Sequence, residues 1–296
     1  ADKGAVWTLL AKLYLNAEVY NGENRYDDCI TYCDTIIKSG YSLVDNYQNL
    51  FLADNEMLSE VIFSVNYDGN RTQTYGGTNF IIHAAIGGEM GDVYDLASDF
   101  GVSDGWGGTR VTGSFVDLFP DETGDADGRA MFFTQGQTKE IENVGDFTNG
   151  YAVTKWRNVT SNGNPGSNLD YPDTDFPMFR LADVYLMYAE AVLQGGGGNM
   201  GTAVDLVNDI RERAGAATVS DIDLDFIIDE RGRELYWECH RRTDLVRFGL
   251  FTGNEYVWSW KGNIQDGRST EEKYNLFPIP ASDIGANPNL SQNPGY

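Results

Sequence analysis

The sequence predicts a mostly α-helical protein, built from antiparallel helix hairpins around a long, irregular, loop-rich insertion with short extended segments. Apolar residues recur every three or four positions near both ends of the chain, which is the period of one helix face. Between them, glycine, asparagine, aspartate and threonine interrupt the chain every few residues. No clear linker divides the 296 residues, so we expect a single domain over 1–296.

Within this domain we assign helical hairpins to residues 1–42 and 176–250, a loop-rich binding region to 60–175 and a docked tail to 251–296. Loops held by a rigid scaffold often carry binding residues, so the long insertion is the expected place for function. Short helices are expected only near 93–97 and 113–119 within it.

The C-terminal hairpin shows the helix pattern most strongly. One face of its first helix is formed by Leu181, Val184, Tyr185, Tyr188 and Val192. The buried face of its second helix is formed by Ala203, Val207, Ile210 and Ala214. Thr202 is the expected N-cap of that second helix, and Gly215 is expected to end it.

The third helix, with the sequence IIDERGRELYWECHRRTDLVRFG, is crowded with charge. Charges of opposite sign lie four residues apart along it, a spacing that stabilises exposed helix surfaces. We therefore expect a solvated helix with one buried seam.

The N-terminal segment repeats the hairpin. Its first buried face is expected to consist of Val6, Leu10, Leu13, Ala17 and Tyr20. The second consists of Tyr26, Ile30, Cys33 and Ile37, so Cys29 and Cys33 are interpreted as small buried side chains. The helix LLAKLYLNAEVY and the later LADVYLMYAEAVL both resemble first helices of tetratricopeptide hairpins, which indicates a degenerate helical-repeat scaffold.

The sequence predicts a short strand in one further segment and an ordered C-terminal tail in another. Val61, Phe63 and Val65 alternate with other side chains, which is typical of a short extended strand. The tail is expected to be ordered and held on the helices by Ile279, Ile284, Leu290 and Tyr296.

The charge balance narrows the possible partners. A formal net charge of −24 argues against nucleic acid, because proteins that bind nucleic acid need clustered lysine and arginine. Neutral ligands such as sugars are not repelled by an acidic surface. Three cysteines give no disulfide framework, and two histidines offer little for a zinc site.

Longer motifs resemble the RagB/SusD family of outer-membrane glycan-binding lipoproteins. They are FRLADVYLMYAEAVL, RERAG, DERGRELYWECHRRTDLVRFGLF, YNLFPIPASDI and NPNLSQNPGY. The resemblance implies a tetratricopeptide-like α-α superhelix that works beside a SusC-like TonB-dependent transporter. Among family members, the chain looks most similar to the starch-binding SusD group.

The chain departs from the family pattern in two ways. It matches the C-terminal part of the family, and the absent N-terminal region implies that part of the glycan site and the lipid anchor lie outside these residues. Cys239 stands where the family usually has glycine.

Trp106 is the main candidate for ligand contact. It lies in SDGWGGTR between glycines, so its ring has no bulky neighbour in sequence and is able to stack on a sugar. Asp104 and Arg110 are the expected polar partners. The alternative is that the glycines only allow the loop to turn and Trp106 packs inward.

Tyr75 repeats this arrangement, since two glycines follow it. Gln73 and Asn79 are its expected polar partners. The other tryptophans, including Trp156 and Trp258, are interpreted as structural.

Three functions are compatible with the sequence: a glycan-binding protein without catalytic activity, a glycoside hydrolase or lyase on a helical scaffold, and a helical adaptor that binds protein. No catalytic motif supports the enzyme, and no cofactor is expected. Asp121, Asp125 and Asp127 are weak candidates for calcium, because they lack the full EF-hand spacing.

Overall fold

The computed structural model describes residues 2–296, which form two compact units: one ends at His240, and the other comprises Arg241–Tyr296. The α-helices of the first unit are α1 Lys3–Leu15, α2 Ala17–Asn21, α3 Tyr26–Ile37, α4 Thr78–Ala84, α5 Met90–Val93, α6 Gly113–Val116, α7 Leu181–Leu193, α8 Met200–Arg213 and α9 Leu224–Leu235, and a 3-10 helix spans Tyr47–Phe51. Its strands are β1 Val61–Val65, β2 Phe132–Phe133, β3 Ala152–Val153 and β4 Phe176–Arg180. The mostly helical prediction is confirmed, whereas the extent of the domain stays a prediction. No helix among the described residues is long and apolar enough to cross a membrane.

Helix α7 is the centre of the first unit, since α1, α3, α8 and α9 all pack on it. It is buried almost all round, including the acids Asp183 and Glu190, so the expected single apolar face underestimates its burial. Helix α8 buries the predicted face, but its N-cap is Asn199, whose Oδ1 accepts from the N–H of Thr202 at 2.9 Å. The assignment of the cap to Thr202 was wrong.

Helix α1 buries a different face from the predicted one. Its large apolar residues Val6 and Leu13 are exposed. The buried face consists of Gly4, Ala5, Thr8, Ala11 and Leu15. Small side chains let neighbouring helices approach closely, and hydrophobicity alone does not identify such a face. The predicted burial of Cys29 and Cys33 on α3 is confirmed.

The loop-rich region contains more regular structure than expected. Strand β1 pairs antiparallel with β4, although residues 176–180 were predicted to be helical. A five-residue π-helix, Leu96–Phe100, and the short α6 match two expected helical pieces, but α4 was missed. Trp156 is 2% exposed and stacks on Phe176, with ring centroids 5.6 Å apart, which confirms its structural role.

Charged side chains are buried around α9, where the sequence predicted a solvated surface. Arg180 at the end of β4 bonds Glu60 at 3.0 Å, and its Nε bonds Glu238 at 2.6 Å. Arg129 Nη1 bonds Glu230 at 2.7 Å and Glu234 at 3.1 Å. We call this group the buried ion cluster: Glu60, Asp127, Arg129, Lys155, Arg180, Arg213, Glu230, Glu234 and Glu238.

The segment that was expected to form one long solvated helix is instead partly buried in the ion cluster and is not helical throughout. Helix α9 ends at Leu235, and both neighbours of Glu238 have positive φ, +61° at Trp237 and +66° at Cys239. Glu238 bonds Lys155 at 2.7 Å as well as Arg180. The prediction of one long solvated helix is therefore wrong, because the partners of these acids come from distant parts of the chain.

The second unit contains α10 Arg241–Arg247, two short 3-10 helices, Lys261–Asn263 and Glu272–Asn275, and α11 Ala281–Ala286. Its tail is closed by hydrogen bonds: the Tyr296 hydroxyl donates to the carbonyl of Leu276 at 2.9 Å, and Gln292 bonds both backbone groups of Ile279. Leu290 and Tyr296 are 38% and 43% exposed, so they do not provide the expected apolar anchors.

Candidate functional site

The end of helix α4 fixes the backbone of the loop that carries Trp106. A helix leaves its last carbonyls without intrahelical donors, and the loop supplies them. The N–H of Trp106 donates to the carbonyl of His83 at 2.8 Å. Those of Gly108 and Thr109 both donate to Ala84, at 2.9 and 2.8 Å. The position of Trp106 is thus set by hydrogen bonds rather than by burial of its ring.

The neighbouring glycines allow this close approach. A Cβ at Gly105 would collide with the carbonyl oxygen of Ile86, and Gly107 has a φ of +57°. Both positions therefore need glycine for backbone reasons. The sequence interpretation, in which glycine leaves room around the ring, accounts for only part of their role.

The Trp106 ring is supported on one side and partly open. It stacks on buried His83, with centroids 4.9 Å apart and planes 20° apart. His83 is itself oriented by its Nδ1, which lies 3.0 Å from the carbonyl oxygen of Asp104. The tryptophan remains 39% exposed, so a fixed indole face is available to a ligand.

Three further aromatic residues surround this indole. Tyr75, which is 70% exposed, lies with its ring 6.2 Å from that of Trp106 and 5.7 Å from that of Tyr171. A hydrogen bond with Tyr75 raises the pKa of Tyr171. Phe80 on α4 is 48% exposed, and its ring lies 6.4 Å from that of Trp106. We call Tyr75, Phe80, Trp106 and Tyr171 the aromatic cluster.

Two of the predicted polar residues lie two positions before a ring of the cluster in sequence and have accessible groups. The side chain of Asp104 is 70% exposed, and its carboxylate lies 3.5 Å from Nδ1 of His83. Gln73 donates from Nε2 to the carbonyl of Gly69 at 3.3 Å, which leaves its amide oxygen available.

The other two predicted polar residues hold the surrounding backbone. Asn79 is buried and donates to the carbonyl of Asp170 at 2.7 Å, which positions the segment that carries Tyr171. Arg110 donates to the carbonyls of Asn149 at 2.6 Å and Val144 at 3.0 Å, and burial lowers its pKa. Their direct contact with a ligand stays a prediction.

Sequence reasoning missed Phe80 and Tyr171. Helix α4 was not recognised, so Phe80 had no predicted face. Tyr171 precedes a proline in a loop that is remote from Trp106 in sequence, and only the fold brings the two segments together. A loop tyrosine beside proline was the one available signal, and many structural tyrosines share it.

The weak calcium candidates have other partners. Asp121 accepts hydrogen bonds from the N–H groups of Thr123 and Ala126, both at 2.8 Å. The side-chain hydrogen bond from Thr123, followed by that from the backbone of Ala126, lowers the pKa of Asp121 to about 2. Asp127 pairs with Arg129 at 2.7 Å in the ion cluster. Within residues 2–296, no group of three acidic, histidine or cysteine side chains is placed to hold a metal, and the calcium hypothesis stays untested.

The comparison with known proteins identifies the family. The sequence model of the SusD family matches residues 128–296. The chain belongs to the SusD family. Starch-binding protein SusD of Bacteroides thetaiotaomicron is 36% identical to it over 344 residues, which cover 100% of this chain and 60% of that protein. A SusD-like protein of Bacteroides ovatus is 26% identical, covering 99% of this chain and 62% of its own length. The chain therefore spans about 60% of the length of these SusD relatives.

Solved structures show the same SusD fold. A SusD superfamily protein from Parabacteroides distasonis superposes with a TM-score of 0.71 at 25% identity, covering 100% of this chain and 63% of the other. Surface glycan-binding protein A from B. thetaiotaomicron, in complex with laminarihexaose, superposes with a TM-score of 0.73 at 22% identity. The match covers 99% of this chain and 64% of the other. These likenesses confirm the predicted SusD-like helical architecture.

Proposed function

We propose that this SusD-family chain is a glycan-binding protein without catalytic activity, which holds an oligosaccharide on the aromatic cluster. The observation that carries the proposal is an exposed group of rings around an indole whose backbone is fixed. Sugar rings present C–H groups that pack on aromatic faces, while their hydroxyls need polar partners. Asp104 and Gln73 provide such groups beside the rings.

An α-glucan is the proposed ligand. It is supported by the 36% identity with a protein named for starch binding. The glycan-binding neighbour of similar fold holds laminarihexaose, a β-linked glucan, so both linkages belong in the test. The relatives are longer than this chain, and residues beyond it are proposed to complete the site.

We place the protein on the surface of the outer membrane. It would be attached by a lipid-modified segment outside the 296 residues and would pass its ligand to a SusC-like TonB-dependent transporter. The family membership supports this arrangement, and co-purification with the transporter from membranes would test it.

Calorimetric titration with maltoheptaose, laminarihexaose and cellohexaose tests the proposed ligand class. We expect saturable binding of maltoheptaose and weaker binding of the two β-linked chains. Tyr75→Ala should weaken maltoheptaose binding roughly tenfold, the effect of one lost aromatic contact. Tyr20→Ala is the matched control, because Tyr20 is 62% exposed on α2 and lies outside the aromatic cluster.

Two results would contradict the proposal. Equal effects of the two tyrosine substitutions would show that the cluster does not contact the glycan. Sustained release of reducing sugar from soluble starch by the repurified chain would show catalysis.

A further inference from the structure

The unit Arg241–Tyr296 contains a cleft of about 870 Å³. Small-molecule sites are typically about 300–1,000 Å³ and combine aromatic surface with a few polar groups. Aromatic rings and polar or charged side chains both line this cleft. They include Lys261, Arg268, Glu271, Tyr274, Phe277 and Tyr296.

One side of the cleft is aromatic and exposed. Tyr274 and Tyr296 are each 43% exposed, and their rings lie 6.4 Å apart. Phe277 is 69% exposed, and the guanidinium of Arg242 lies 3.9 Å from its ring centroid. Arg242 also donates to the carbonyl of Tyr274 at 2.9 Å, which fixes the segment that carries these rings. Clustered exposed rings of this kind mark binding surfaces.

The charge of the cleft is opposite to that of the whole chain. Arg242, Lys261 and Arg268 line it, and Glu271 is the single acidic side chain in the lining. Glu271 is paired with Lys273 at 3.0 Å. The chain as a whole carries a net charge of −24, so a local excess of cations sets this surface apart.

Lys261 is a buried cation whose partners are backbone oxygens and the ring of Trp258, whose centroid lies 4.6 Å from Nζ. It is 2% exposed, and its Nζ donates to the carbonyl of Tyr256 at 2.6 Å. No carboxylate of the described residues forms a salt bridge with it. A buried charge is costly without an opposite charge, and burial lowers the pKa of this amine. An anion in the cleft would supply the missing charge.

The loop around Lys261 holds this arrangement in a strained conformation. Trp260 has a φ of +71°, which is unfavourable for a bulky side chain, and Asn263 has a φ of +63°. The backbone N–H of Arg268 donates to the carbonyl of Lys261 at 3.0 Å, which joins the two backbone segments. Arg268 is exposed, and its Nε donates to the carbonyl of Gly262 at 2.9 Å.

Free polar side chains complete the lining. Asn263, Ser269 and Thr270 make no side-chain hydrogen bond within residues 2–296. Amide and hydroxyl groups of this kind are able to bond sugar hydroxyls.

We propose that this cleft binds a sugar that carries a carboxylate, a uronic acid. The carboxylate would accept hydrogen bonds from Arg268 in the positive field of Lys261, while the sugar ring packs on the aromatic side. The lining of the cleft shares no residue with the aromatic cluster, and the proposal does not depend on the function proposed for that cluster.

Titration of the full chain with sodium glucuronate at low ionic strength, followed by NMR, tests this inference. We expect saturable binding that is at least roughly tenfold tighter than that of glucose, which has the same ring without the charge. Benzoate serves as an anion with a ring but no sugar hydroxyls, and it should bind more weakly than glucuronate.

Matched variants locate the site. Arg268→Gln should weaken glucuronate binding roughly tenfold. Lys38→Gln, which removes an exposed cation from the first unit, should leave it unchanged. Thermal melts establish that each variant is folded. Absence of saturation, equal binding of glucose or benzoate, or an unchanged affinity in Arg268→Gln would overturn the proposal.

Discussion

In the buried ion cluster, Arg180 is 1% exposed and bonds Glu60 and Glu238, whereas in the aromatic cluster Tyr75 is 70% exposed. The charges of the first region pair with one another and are buried. The rings of the second are held by the backbone and keep accessible faces. The contrast assigns stability to the ion cluster and recognition to the aromatic cluster.

The largest expected loss of stability follows from substitution of Arg180. Arg180→Met would leave buried Glu60, Glu234 and Glu238 without one of their cations. Removing one partner of a buried ion pair costs about 3–5 kcal/mol of unfolding free energy. Urea denaturation measures this loss.

Lys38→Met is the matched control, because Lys38 forms an exposed pair with Asp34 at 3.2 Å. Exposed pairs are worth about 1 kcal/mol or less. Similar losses in the two variants would show that the ion cluster does not stabilise the fold.

Acid should destabilise the protein through the same cluster. Burial alone would raise the pKa of Glu238 and of Glu234. Arg180 and Lys155 lie beside Glu238 and hold its pKa below the ordinary range. Arg213 and Arg180 have the same effect on the pKa of Glu234. Groups with a lowered folded pKa stabilise the fold above their unfolded pKa, about 4.3 for glutamate, and this stability is lost as the pH falls. The urea midpoint should thus be nearly constant from pH 7 to about 5.5 and decrease below it. A constant midpoint down to pH 3 would contradict this.

A smaller effect is expected at Cys239, beside Glu238. Its φ is +66°. Glycine adopts this left-handed conformation at a cost about 1 kcal/mol lower than residues with a Cβ. Cys239→Gly should therefore raise the unfolding free energy by about that amount. A lower unfolding free energy in Cys239→Gly would show that packing of the cysteine side chain stabilises the fold by more than the backbone strain destabilises it.

The sequence predicted the helix hairpins because their pattern is local. Buried Ala203, Val207 and Ile210 follow the helix period on α8, and Gly215 ends the segment as expected. It did not predict the burial of Glu230 and Glu234, since local charge alternation on a helix is typical of a solvated face.

The aromatic cluster was predicted only in part, for a related reason. Trp106 and Tyr75 stand out because each is followed by two glycines, and their rings do lie together. Tyr171 lies near them because distant segments are in contact. Asn79 donates to the carbonyl of Asp170, the residue before Tyr171. Such proximity is a property of the fold and has no local sequence signal.

The most direct test of the account is Trp106→Ala, measured by thermal or urea denaturation and by titration with maltoheptaose. The indole is half-exposed and stacks on His83, so its loss should cost about 1 kcal/mol of stability. Binding of the folded variant should weaken roughly tenfold or more. A stability loss of about 3 kcal/mol or more, as for a core tryptophan, with normal binding by the folded fraction, would contradict the assignment of recognition to the aromatic cluster.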